Sequence, residues 1–129
     1  MTFSFENLIV WQKAHKFVLL VYQSTRNFPP DEKFGLTSQF RRAAASITAN
    51  IAEGYKKLSK PDKLRFFNIA QGSLEECRNY IILSHDLQYI DDSTTEEMRY
   101  SIEEASKLLN AYCNSVVENK AVCDTEHLS

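Results

Sequence analysis

The chain has 129 residues, with 15 Lys and Arg against 17 Asp and Glu, 43% apolar residues, and only three glycines and three prolines. This length suits one domain that buries about two thirds of the surface its unfolded chain exposes, and the composition excludes collagen-like, disordered or low-complexity material. The slightly acidic balance argues against a general nucleic-acid coat, yet residues 1–74 hold eleven cations against five carboxylates and residues 75–129 four against twelve.

Four helices are predicted. The first runs from about Leu8 to Asn27 after a cap at Asn7, and "FPPD" (28–31) ends it, because proline cannot continue a helix. The second begins at Thr37 or Ser38, both good N-cap residues, and reaches Lys57, where lysines suit the negative pole of the helix dipole. Ser59 caps the third, with Pro61 and Asp62 in its first turn, and that helix extends to Leu87. After "YIDDS", Ser93 and Glu96 form a capping box for a fourth helix ending near Glu118. Residues 119–129 lack periodicity and read as a flexible tail, which leaves 1–118 as a single domain. No segment alternates with period two. The expected fold is all-α, an up-and-down antiparallel four-helix bundle.

Helical spacing distributes these residues over faces. Val10, Trp11, Ala14, Phe17, Val18, Val21 and Tyr22 cover nearly half of the first helix. Leu36, Phe40, Ala43, Ile47, Ile51, Gly54 and Leu58 form the core arc of the second, Phe66, Ala70, Leu74, Cys77 and Ile81 that of the third, with Gly72 and Ser73 as a close-packing notch. Met98, Ile102, Ala105, Leu109, Tyr112 and Val116 make a narrow stripe on the fourth, away from Glu96, Glu97, Glu103 and Glu104. The opposite side of the second helix collects Ala45, Ala49 and Ala52 beside Thr48, with Arg41 and Arg42 at its N-terminal flank. Small residues permit close backbone approach, so this second face suits packing against a neighbouring helix or subunit. An exposed run of good helix formers is the simpler account.

Catalytic and metal chemistry find no support. A di-metal bundle needs Glu-x-x-His pairs, and none occurs; His15, His85 and His127 are scattered. His15 reads as a packed or partly solvated ring. Gly-x-Ser-x-Gly, P-loop and dinucleotide fingerprints are also missing. No enzymatic activity, cofactor or metal is therefore expected. Asn50, at the edge of the core arc, needs a hydrogen-bond partner such as a neighbouring helix's carbonyl or hydroxyl, and Glu53 can pair with Lys57 at i,i+4. Cys77, Cys113 and Cys123 are odd in number and far apart, which fits a reducing compartment. With no long apolar run and no signal-like start, a soluble cytoplasmic protein is expected, without a membrane partner.

The one ligand-like feature is "YKKLSKPDKLR", where Lys56, Lys57, Lys60, Lys63 and Arg65 crowd one interhelical turn. Such flexible cations bind phosphate backbones with salt-sensitive affinity. A solvated turn that complements the helix dipole is the plainer reading. Arg41 and Arg42 lie roughly 20 Å away along the helix.

Three separated stretches, "FENLIVWQKAHKF" (5–17), "EKFGLTSQFRRAAASITANIAEG" (32–54) and "FFNIAQGSLEE" (66–76), occur in order. Together they resemble the four-helix-bundle proteins encoded in intervening sequences of bacterial 23S ribosomal RNA genes, over roughly residues 3–118. The resemblance implies a subunit that assembles into a homopentamer, similar in fold to the accessory variability determinant proteins of diversity-generating retroelements, which bind reverse transcriptase and nucleic acid. Two functions follow as expectations. One is a non-enzymatic homo-oligomeric RNA-associated protein, contacting ribosomal RNA phosphates through the cations of 56–65, extended by Arg41 and Arg42 if folding or assembly brings them near. The other is a structural or adaptor oligomer that recruits a protein without nucleic acid, Arg41 and Arg42 bridging to acids on the adjoining subunit.

Overall fold

The computed structural model describes residues 4–118. After a 3-10 turn at Phe5–Asn7, the chain forms α1 (Ile9–Thr25), a second 3-10 turn (Pro30–Glu32), α2 (Leu36–Lys56), α3 (Lys60–Asp86) and α4 (Asp92–Val117). No strand occurs among the described residues. The predicted tail, 119–129, lies outside them. Each helix packs on two others, α1 on α2 and α4, and α3 on α2 and α4, which closes a four-helix bundle. Along α2 and α3 the partners run in opposite directions: Gln39 meets Tyr80, Ser46 meets Ser73, and Gly54 meets Phe67. Between α3 and α4 the same reversal pairs Gln71 with Asn110, Arg78 with Glu103 and His85 with Asp92. No helix among the described residues is long and apolar enough to cross a membrane.

Periodicity places most of the core correctly. The α4 stripe Met98, Ile102, Ala105, Leu109, Tyr112 and Val116 is buried throughout, and so are Val10, Ala14, Phe17, Val18 and Val21 of α1. Several members of the predicted arcs leave the core, among them Tyr22 of α1, which is 39% exposed, and Trp11, which is half-buried. Leu58 falls in the turn after α2 has ended and is 99% exposed. On α3 the fully buried phenylalanine is Phe67, which stacks near Tyr112 with ring centroids 5.1 Å apart, while its neighbour Phe66 is half-buried.

The glycines exchange the expected roles. Gly72 is exposed, and a Cβ built on it would have nothing within 4 Å, so it is not a packing notch. Gly54 is: a Cβ there would lie 2.5 Å from Cε1 of Phe67, and only hydrogen at this position lets the phenyl ring seat between α2 and α3. Ser73 is buried beside Gly72 and donates to Ser46 Oγ at 2.8 Å. Asn50 turns to its own helix, donating to Ser46 O at 2.8 Å and Ser46 Oγ at 3.0 Å, so the link to α3 passes through the two serines.

Three caps differ from those read in the sequence. Asn7 closes the 3-10 turn by accepting from Ser4 N, and Leu8, without a side-chain cap, precedes α1. The first amide of α2 is capped neither by Thr37 nor by Ser38: Leu36 N donates to the carboxylate of Glu32 at 3.0 Å, which reaches across Gly35 from the preceding 3-10 turn. At α4, Asp91 rather than Ser93 accepts from a first-turn amide, that of Thr94, at 2.7 Å. Ser59 caps α3 as expected, accepting from Asp62 N at 3.3 Å.

Candidate functional site

The α2–α3 turn is three residues long, Lys57 to Ser59, and the cations predicted to act together stand around it. Their fates differ. Lys63 is buried and points inward, its ammonium donating to the carbonyls of Tyr55 at 2.7 Å and Gly54 at 3.4 Å. It therefore supplies a charged donor to carbonyls at the end of α2 and sits against the negative pole of that helix, a task that removes it from the surface group.

Lys56 and Lys60 are exposed. Lys57 and Arg65 converge on Phe66, with the Lys57 ammonium 5.0 Å and the Arg65 guanidinium 4.8 Å from the ring centroid. Opposite charges touch them only loosely: Glu53 lies 3.9 Å from Lys57, as the i,i+4 spacing predicts, and Asp62 lies 4.0 Å from Arg65. Exposed pairs of this length contribute little and leave the cations able to meet another anion. The turn thus presents Lys56 and Lys60 to solvent and Lys57 and Arg65 over a half-buried aromatic ring.

The second predicted group separates in the same way. Arg41 crosses to α1, where Nε donates to Thr25 Oγ1 at 2.7 Å and Nη2 to Tyr22 O at 3.3 Å, and its guanidinium lies 4.8 Å from the Tyr22 ring. Its role here is to fasten the C-terminal turn of α1 within the chain. Arg42 is exposed and donates to Ser38 Oγ, one turn back, at 2.9 Å. Ala49 is exposed, and Ala45 and Ala52 are half-buried on the outer side of α2. The cation turn and the Arg41–Arg42 pair occupy opposite ends of α2 and do not merge into one patch.

Two histidines and two cysteines have packed or paired surroundings. His15 stacks on Trp11 with centroids 4.7 Å apart and planes 11° from parallel, the packed ring expected of it. His85 Nε2 lies 2.7 Å from Asp92 in the α3–α4 turn. Burial pushes the thiol of Cys77 up to about 12 and that of Cys113 up to about 11, so both are poor nucleophiles at neutral pH. Among the described residues no group of three or more metal-ligating side chains converges.

Sequence reasoning missed Leu58 and Phe66 as surface features of the turn, because it assigned both to core arcs. The signal for Leu58 was present: it follows two lysines and precedes a capping serine, so the helix has already ended.

A search among curated proteins finds none that matches. Among solved structures, the chain is similar to a protein of unknown function from the S23 ribosomal protein family of Bacteroides thetaiotaomicron VPI-5482. The two are 25% identical, the match covers 82% of this chain and 96% of that one, and the TM-score is 0.74. Residues 6–111, which include all of α1, α2 and α3 and most of α4, match the family described as 23S rRNA-intervening sequence protein. With the four-helix fold and the similar solved structure, this match over most of the chain places the protein in the 23S rRNA-intervening sequence protein family.

Proposed function

We propose that the protein is a non-enzymatic, cytoplasmic, RNA-associated homo-oligomer, a pentamer by family resemblance, which contacts ribosomal RNA phosphates through the α2–α3 turn. The observation that carries this reading is the group Lys56, Lys57, Lys60 and Arg65, held by two helix ends, with only the long pairs to Glu53 at 3.9 Å and Asp62 at 4.0 Å opposing its charge. Phosphate binding by three or four cations releases a similar number of counterions, which gives log K against log salt a slope of about −2 to −4.

The test is a salt titration with structured fragments of 23S ribosomal RNA. Reversing Lys56, Lys57 and Lys60 together to Glu should flatten the slope and leave the oligomer intact; Lys63 stays unaltered because its amine is structural. No binding at low salt overturns the RNA reading. The assembly is tested separately by native mass spectrometry of the wild type, where a monomer at micromolar concentration overturns it.

A second reading, recruitment of a protein partner, is favoured by one observation. Tyr100 is 75% exposed on α4, a helix whose outer face carries Glu96, Glu97 and Glu103. An exposed aromatic ringed by charge is a frequent anchor in protein interfaces. Retained partner capture after the triple charge reversal, and its loss on Tyr100→Ala, would favour this reading over the first.

A further inference from the structure

Leu58 is the most exposed of the large apolar side chains in the described structure. It stands at the centre of the α2–α3 turn, with Lys56 and Lys57 before it and Lys60 after it. A leucine held wholly in water is stabilised when an apolar surface covers it, so Leu58 offers a partner an apolar contact in the midst of the cations. Within the bundle nothing covers it. The core stripe of α2 ends at Gly54, and the space beneath the turn is taken by the Lys63 stem and Phe67.

Phosphates cannot cover it either, because they offer only charge and hydrogen-bond acceptors. Of the components of an RNA, the base faces are apolar. In a continuous A-form duplex those faces are stacked inside and the major groove is too deep and narrow for side chains, whereas loops and bulges splay bases outward. Phe66 is the other apolar group of the turn, but its ring is half-buried and already approached by Lys57 and Arg65. The free apolar surface among the cations is that of Leu58.

We infer that the α2–α3 turn recognises RNA presenting an unpaired base, as in a hairpin loop or bulge, with Leu58 packed on the base and Lys56, Lys57, Lys60 and Arg65 on the flanking phosphates. This rests on the RNA reading above and specifies which RNA structure the site takes. The cations supply salt-dependent affinity common to all RNA; Leu58 supplies the preference for an unstacked base.

Fluorescence anisotropy at fixed salt, with a hairpin carrying an unpaired loop and a fully paired duplex of equal phosphate number, tests it. Wild-type protein should favour the hairpin. Leu58→Ala should weaken hairpin binding about fivefold to tenfold, leave duplex binding and both salt slopes unchanged, and retain the wild-type circular dichroism melt because the side chain supports no fold contact. Lys57→Glu should weaken both RNAs. Equal wild-type affinities for the two RNAs, or equal losses on Leu58→Ala, overturn the inference while leaving phosphate binding standing. Failure of both RNAs to bind at low salt removes the RNA reading and this inference with it. A lower native mass for Leu58→Ala would assign the residue to a contact between copies and also overturn the inference.

Discussion

Lys60 and Lys63 are one helical turn apart, and their side chains have opposite surroundings: Lys60 is in water, Lys63 is 9% exposed with its ammonium on two backbone carbonyls. Replacing Lys63 with Met keeps the aliphatic stem and removes the charge-assisted donor to the Tyr55 and Gly54 carbonyls at the end of α2. A destabilisation of about 1–3 kcal/mol is expected, read as a lower urea midpoint. Lys60→Met should stay within about 0.5 kcal/mol of wild type. The sequence shows the two lysines as equals because nothing local distinguishes them. What separates them is the antiparallel return of α3, which brings position 63, on the same face as Phe67 and Ala70, over the end of α2. Arg41 teaches the same lesson at the other end of α2, since its contact with Thr25 depends on where α1 stops.

At the level of helices, Gly54 and Gly72 offer a paired experiment. Both are helical, and alanine is favoured over glycine inside a helix by about 0.5–1 kcal/mol. Gly72→Ala should show that gain, because its Cβ enters open space. Gly54→Ala should instead destabilise by about 1–3 kcal/mol, because its Cβ would drive the fully buried Phe67 ring from its seat; thermal melts of the two variants should shift in opposite directions. The helices themselves were legible, and α4 most of all, since a narrow apolar stripe opposite carboxylates permits only one orientation. The Ser59 cap was legible because no rival stands beside it, whereas the equally local Asp91–Thr94 cap was hidden by the competing Ser93–Glu96 pattern. The cap of α2 was not legible because its acceptor comes from an adjoining turn: Glu32 reaches Leu36 only because the 3-10 turn folds it back. Phe66 and Phe67 were exchanged for a related reason, because adjacent aromatics differ by 100° and a small phase error selects the wrong one.

Across the whole molecule the charge division of the sequence becomes partly axial. The cation turn lies at one end of the bundle, while Asp31, Glu32, Asp86, Asp91 and Asp92 gather at the other, about 40 Å away by the length of α3. That acidic end is where pH acts first. The Leu36 amide, and then the Tyr89 hydroxyl at 2.9 Å, hold the Glu32 carboxyl below its usual 4.5, and the Thr94 amide holds Asp91 below its usual 3.8. Both groups are easier to protonate when unfolded, so their contribution is complete above the usual values and declines as pH falls through the lower folded ones. The urea midpoint should therefore drop on acidification below about pH 4.5, and Glu32→Gln should flatten that limb. Tyr89 gives the opposite limb: its bond to Glu32 raises the hydroxyl above 10, so its share is present below that value and lost as pH rises through the folded one. The legible part of the candidate site was its cation content. Which cations are presented depended on the packing of α3 on α2. That packing has a thermodynamic consequence for any ligand. Ser59 fixes the start of α3, Lys63 ties the end of α2, and Phe67 wedges against Gly54, so the backbone of the turn is ordered before anything binds. A partner meeting Leu58 incurs no loop-ordering entropy, and rigid docking of this kind lengthens residence time more than it speeds encounter.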